Sequence, residues 1–175
     1  MKTKHLVFAA LFTALIAVGA QIRIPLGPIP FTLQVPMVLL AGMLLGKKLG
    51  LISITAYIFI GLIGIPVFAG AGGLGSLVSP SFGFVLGFIP GVVITAVGGN
   101  EHAGRMITFT LLGMVTIYMR CALFRVYYEY GNRNSYVSDG ILMAAVVPFL
   151  IKDVILAVLT VMFAKTLTQR GLMLA

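Results

Sequence analysis

The sequence predicts an all-α integral membrane protein, a single domain (residues 1–175) with six transmembrane helices. Three observations predict it. Of 175 residues, 60% are hydrophobic and only 9% are charged, against about 25% charged in a soluble domain. Mean hydropathy is +1.13, so there are too few polar side chains to cover a water-facing surface. The apolar residues gather into runs approaching the roughly 20 that a membrane crossing needs, separated by Gly/Pro-rich or polar links.

The elements follow in order. Span one covers about His5 to Gln21. Its start, MKTKHLVFAALFTALIAVGAQ, also has the basic, apolar, small-residue layout of a secretory signal peptide. A retained span is preferred because everything downstream is membrane-embedded too. The link RIPLGPIPFTLQVP overlaps span two, about Leu33 to Leu45, which is short for a full crossing. Span three, about Leu49 to Ile63, is entered through Lys47 and Lys48. GIPVFAGAGGLGSLVSPS leads to span four, about Phe82 to Val97. GGNEHAGR leads to span five, about Met106 to Leu123. FRVYYEYGNRNSYVSDG, the most polar stretch, precedes span six, about Ile141 to Leu167. No internal repeat or interdomain linker is visible.

Six spans place both termini on one side. With the N-terminus inside, the inner segments hold seven basic residues: Lys2, Lys4, Lys47, Lys48, Arg105, Lys165 and Arg170. The outer ones hold four: Arg23, Arg120, Arg125 and Arg133. This bias predicts cytoplasmic termini in a cell membrane. Links 22–36, 64–81 and 124–140 then lie outside. Irregular backbone at membrane depth is tolerated only when buried in protein or lining a cavity. Three such links on one face imply a cavity that opens outward, with loops folded over it.

Several function classes drop out. The net charge of +8 is scattered singly at segment ends, without the basic stripe of a nucleic-acid binder. Cys121 is the single cysteine, so no disulfide forms within the chain. His5 and His102 are far apart, and no cluster has metal-ligand spacing. GAGGLG (70–75) matches a dinucleotide motif but lacks the flanking strand and the following acid. Its glycines instead let backbone N–H groups approach a ligand. GMLLGKK (42–48) misses the phosphate-binding loop, with three residues between the glycines and Lys48 where Ser or Thr is required. Energy from ATP must therefore come from another subunit. With only four acids, Glu101, Glu129, Asp139 and Asp153, and no Ser-His-Asp or Cys-His arrangement, a binding protein is favoured over an enzyme. A membrane enzyme using Asp153 as acid or base is the alternative, and a self-sufficient solute channel is a third reading.

The segment PFLIKDVILAVLTVMFA (148–164) carries Lys152 and Asp153 inside an apolar run. Each charge at a span centre costs about 2.5–3.5 kcal/mol, which makes such a residue a site candidate by default. The bland reading is mutual neutralisation or snorkelling. Adjacent helical residues point about 100° apart, so direct pairing is expected to be poor. Pro148 is expected to place the pair near the first turn of span six. One anionic acceptor and one cationic donor suit a small ligand bearing both N–H and C=O groups.

RIPLGPIPFTLQ (23–34), LLAGMLLGKKLG (39–50), GLIGIPVFAGAGGLG (61–75) and PFLIKD (148–153) resemble the BioY family, the biotin-binding S components of energy-coupling factor (ECF) transporters. The resemblance runs from span one to span six. It implies a six-helix S-component fold with external loops covering the cavity, biotin as the transported ligand with no cofactor, and partners comprising a transmembrane T component and two ATPase subunits. It also implies a contact with the T component through small residues of helix one, here Ala10 and Ala14, at small-xxx-small spacing; ordinary helix packing gives the same pattern. Asp153 matches the family's helix-six Asp and would accept the ureido N–H groups. The family Lys three residues later falls at Leu156 here. Lys152, four residues earlier and about 6 Å away along the helix, would supply that donor. Where the family often shows Pro-Thr-Gly-Gly-Tyr, this chain reads Pro80, Ser81, Phe82, Gly83, Phe84. The ring is kept and the hydroxyl lost. Phe68 and Phe84 are candidates to pack on the fused rings, or plain core or lipid contacts. Gln34, Gly72 and Gly73 are candidates for polar contacts. The valerate carboxylate has two candidates, Arg23 and backbone N–H groups, and neither is preferred. Another small vitamin is the alternative ligand.

Overall fold

The computed structural model describes residues 3–24, 31–69, 72–79, 81–99, 102–131 and 139–170. Lys2, Gly70, Pro80, Glu101, Arg133 and the 25–30 part of the first Pro/Gly-rich link, all used above, lie outside the described residues. Among the described residues five helices follow one another: α1 (Thr3–Gln21), α2 (Gln34–Leu62), α3 (Phe82–Val97), α4 (Ala103–Gly131) and α5 (Asp139–Gln169). Between α1 and α2, strands β1 (Arg23–Ile24) and β2 (Phe31–Thr32) pair antiparallel. A short 3₁₀ turn, Leu74–Val78, precedes α3.

The sequence separates spans two and three at Lys47 and Lys48. The structure makes them arms of one element, α2, which folds back at Gly46. That residue has φ 72° and ψ −176°, a conformation essentially restricted to glycine. The fold-back follows from one contact. Gln34 Nε2 lies 2.5 Å from Tyr57 Oη, whereas a straight helix at 1.5 Å per residue would hold the two about 35 Å apart. The arms, 34–45 and 47–62, therefore lie side by side. Among the described residues, three helices are long and apolar enough to cross a membrane: Thr3–Gln21, Gln34–Leu62 and Ala103–Phe124. Phe82–Val97 is a shorter apolar helix.

Two boundaries differ from the sequence reading. Helix α4 continues to Gly131 instead of stopping near Leu123, because 124–130 contains no Gly or Pro to end it. Helix α5 starts at Asp139 and runs through Pro148. Lys152 and Asp153 thus sit near the middle of α5, not in its first turn. Proline is tolerated inside a membrane helix where neighbouring groups satisfy the freed backbone.

Small residues bring the helices close. Gly83, Gly87 and Gly91 form a stripe on α3 facing α4, and a Cβ added at Gly87 would lie 2.8 Å from the Ile117 carbonyl oxygen. Gly42 of α2 meets the Val92 carbonyl in the same way. Close backbone approach of this kind is how helices associate where burial from water supplies no driving force. Helix α1 is joined to the second arm of α2 by Thr13 Oγ1, which donates to the Ser53 carbonyl at 3.1 Å, and by Ser53 Oγ, which donates to the Ala9 carbonyl at 2.9 Å. Tyr57, Phe88, Leu39 and Ile117 are fully enclosed. Leu6, Val7 and Leu11 of α1, with Met162 and Phe163 of α5, stand more than half exposed. An outside so apolar fits hydrocarbon better than water.

Candidate functional site

The site forms where the N-terminal ends of α2 and α3 meet the middle of α4 and α5. Asp153 is at its centre and is 2% exposed. Tyr118 of α4 donates its hydroxyl to Asp153 Oδ2 at 2.5 Å. Lys152 Nζ lies 2.8 Å from Asp153 Oδ1 and donates to the Thr32 carbonyl at 2.7 Å. The expectation of poor direct pairing is thus corrected. The two side chains leave the helix in different directions, but the four-carbon lysine stem bends back far enough for an ion pair. The penalty of the divergence is alignment, since the pair does not reach hydrogen-bond geometry at Oδ1. Desolvating two charges costs several kcal/mol each, and a buried pair is a weak source of stability. The arrangement makes better sense as a charged acceptor and donor held ready for a polar ligand.

A cavity opens onto these groups, walled by Thr32, Gln34, Phe84, Tyr118, Lys152 and Asp153. The ring of Phe84 stands edge-on to Tyr118, with centroids 5.3 Å apart and planes at 85°. A second recess adjoins it, walled by Phe68, Ser76, Ser79 and Phe82, and it shares Gln34, Ala69 and Ser81 with the first. The β1–β2 hairpin lies across this end of the molecule. Lys152 ties it to α5 through Thr32, and the Arg23 guanidinium ties it to the Ala69 carbonyl. Just before it, Gln21 Nε2 donates to the Pro66 carbonyl at 2.7 Å.

Of the residues singled out from sequence, Asp153, Lys152, Gln34 and Phe84 meet around the first cavity. Phe68 is placed in the second recess, edge-on to Tyr57 and Phe82 at 5.3 and 5.8 Å. Gln34 spends its amide donor on Tyr57, whose hydroxyl in turn donates to the Val67 carbonyl at 2.9 Å. Gly72 and Gly73 wall neither recess. The Gly73 N–H donates to the Gly61 carbonyl at 2.7 Å, and a Cβ at Gly72 would lie 2.6 Å from the Ile65 carbonyl oxygen. Both glycines close the turn that follows α2. Ala10 and Ala14 lie on the exposed face of α1. Leu156 walls an apolar groove with Phe12, Leu40 and Phe163 and is not among the walls of the cavity.

Tyr118 was missed from sequence. Its signal was present, because a phenol in the apolar run TIYMR must find a partner once buried. Ser76 and Ser79 were read only as parts of a link, and Ser81 only for its place in the Pro80–Phe84 stretch.

The BioY family model matches residues 1–172. The chain belongs to the BioY family. It is 37% identical over 168 residues to the probable biotin transporter BioY of Pyrococcus horikoshii, covering 95% of this chain and 98% of that one. It is 50% identical over 92 residues to the biotin transporter BioY of Thermotoga maritima, covering 52% of this chain and 54% of that one. The fold matches the crystal structure of the S-component for biotin from an ECF-type ABC transporter with a TM-score of 0.83. That match has 27% identity and covers 96% of this chain and 92% of the other. Tyr118 packs edge-on to Phe84 and brings its own hydroxyl to Asp153.

Proposed function

We propose that this chain is the membrane-embedded substrate-binding subunit of a biotin uptake system. It captures biotin from outside the cell and delivers it through an ATP-driven ECF module, by binding and without catalysis. The observation that carries the reading is the Asp153–Tyr118–Lys152 constellation in a cavity, within a chain of the BioY family. Asp153 accepts the ureido N–H groups, Lys152 donates to the ureido oxygen, and Phe84 covers the fused rings. A buried acceptor matched to ligand N–H groups discriminates strongly, because a ligand lacking them leaves the acceptor unpaired.

The two arms of α2 each count as a crossing in this reading, giving six spans with cytoplasmic termini. The module it joins comprises a transmembrane T component and two ATPase subunits. Ala10 and Ala14, exposed on α1, mark the face that meets the T component. The small-xxx-small spacing supports that contact by allowing close helix approach.

Calorimetry of the detergent-purified chain with biotin tests the proposal. Near one-to-one, tight binding is expected for the parent, and at least a hundredfold loss for Asp153→Asn. An Asp153→Asn variant that is folded and binds biotin like the parent sinks the site assignment.

A further inference from the structure

The apolar groove that Leu156 walls has a volume of about 700 Å³ and shares no wall residue with the Asp153 cavity. Its floor is the first arm of α2, where Pro36, Leu40 and Leu44 recur at helical spacing. Its rims come from α1 and α5. Leu40 and Leu44 on the floor are 6% and 4% exposed, whereas Leu11, Leu159 and Phe163 on the rims are 51%, 53% and 55% exposed. A trough with a closed floor and open rims takes something slender. An acyl chain can follow the floor along its length. An α-helix, about 10–12 Å across with its side chains, reaches it only with single residues. The floor from Leu33 to Leu45 is about 18 Å long at 1.5 Å per residue. That is close to half of a hydrocarbon core about 30 Å thick, the depth of one leaflet.

The two ends of the groove differ in charge. The Leu33 N–H donates to the Gly19 carbonyl at 3.1 Å, and Lys152 donates to the Thr32 carbonyl. The end of α1, the start of α2 and residue 152 of α5 are thus at one level. Phe8, Leu45 and Leu167 share the other end of the groove. Lys4 lies one turn before Phe8, with its Nζ 6.0 Å from the centroid of that ring. Lys47 and Lys48 come just after Leu45, and Lys165 and Arg170 flank Leu167. All five cations are exposed. No Asp or Glu occurs in residues 1–100 or 154–175, so the segments that build the groove bring no acid to neutralise them.

We propose that this groove is a binding site for one anionic phospholipid. One acyl chain lies along the floor between α1 and α5. The headgroup phosphate meets the cations at the Phe8–Leu45–Leu167 end, with Lys4, Lys48 and Lys165 contributed by the three segments that build the groove. A lysine ammonium acts on phosphate as a point charge and needs no fixed fork geometry. Basic clusters between membrane helices take anionic headgroups in this way. A zwitterionic lipid offers the same chain and the same phosphate, but its own cation cancels the attraction. The site therefore selects by net headgroup charge.

The test is native mass spectrometry of the detergent-purified chain, titrated with dioleoyl phosphatidylglycerol or with dioleoyl phosphatidylcholine. The parent is expected to hold one phosphatidylglycerol at least tenfold more tightly than phosphatidylcholine. A Lys4→Gln/Lys48→Gln/Lys165→Gln variant changes only exposed side chains. It is expected to lose at least tenfold for phosphatidylglycerol and less than twofold for phosphatidylcholine. Leu159→Trp at the rim and Met37→Trp on the floor fill the groove from two sides, and each is expected to weaken both lipids at least fivefold. Four results would overturn the proposal. Equal affinity of the parent for the two lipids, or uptake of many copies without a distinct first one, would make the groove an ordinary lipid-facing surface. A triple variant that keeps its preference for phosphatidylglycerol would place the headgroup elsewhere. Parental lipid affinity in both tryptophan variants would place the chain elsewhere. A dimeric parent that becomes monomeric on Leu159→Trp, with lipid affinity unchanged, would give the groove to a second copy of this chain.

Discussion

Tyr118→Phe is the most discriminating single change. It removes one oxygen and leaves the ring edge-on to Phe84. The lost contact is the 2.5 Å donation to Asp153 Oδ2. A hydrogen bond to a charged group is worth about 1.5–3 kcal/mol. With Asp153 2% exposed, water is poorly placed to replace it. The bond is present before any ligand enters, so most of that loss falls on the fold. Affinity suffers only through the freedom the carboxylate regains, about 1 kcal/mol of side-chain ordering, or roughly fivefold in Kd. Stability is readable through Cys121, the single cysteine of the chain and 4% exposed, with a thiol-reactive dye that labels it as the detergent-solubilised protein unfolds. Calorimetry gives the affinity. The expected pair of results is a stability loss of about 1.5–3 kcal/mol with a modest weakening of biotin binding. Unchanged values of both would refute the bond's role. A hundredfold loss of affinity at parental stability would mean that the hydroxyl touches the ligand directly and does not act through Asp153.

Two further changes probe the frame. Lys152→Met removes the ion pair and the tie to Thr32 together. Breaking one partner of a buried pair costs about 3–5 kcal/mol, so this variant is expected to be less stable than Tyr118→Phe and at least tenfold weaker for biotin; parental affinity would remove Lys152 from the ureido contact. Gly46→Ala forces a side chain into φ 72°, ψ −176°, at about 1–3 kcal/mol. A clear fall in unfolding temperature is expected, and an unchanged one would show that the fold-back does not need glycine.

Much of this protein is legible along the chain because hydropathy is a local property. The spans emerge from apolar runs, and the two arms of α2 emerge even though one element contains both. Asp153 stands out because a charge within hydrocarbon is conspicuous in one dimension. Boundaries were less legible. Pro148 looked like a helix start, and the polar 124–130 looked like a link, because local rules do not know which backbone groups a neighbouring helix will satisfy.

What sequence alone determined, then, is the membrane class, the positions of the apolar segments, and the acid around which a site would form. Tertiary structure decided the rest of the constellation, because its members are brought together over long separations. Tyr118 reaches Asp153 across 35 positions, and Lys152 reaches Thr32 across 120. Only the fold-back at Gly46 sets Gln34 against Tyr57. Only the return of the chain after α2 lays the serines beside Gln34. Phe84 and Tyr118 show the division most clearly. One helix brings the ring and another the hydroxyl that meets Asp153, a meeting invisible in sequence because the cavity depends on where an atom sits and not on which segment carries it.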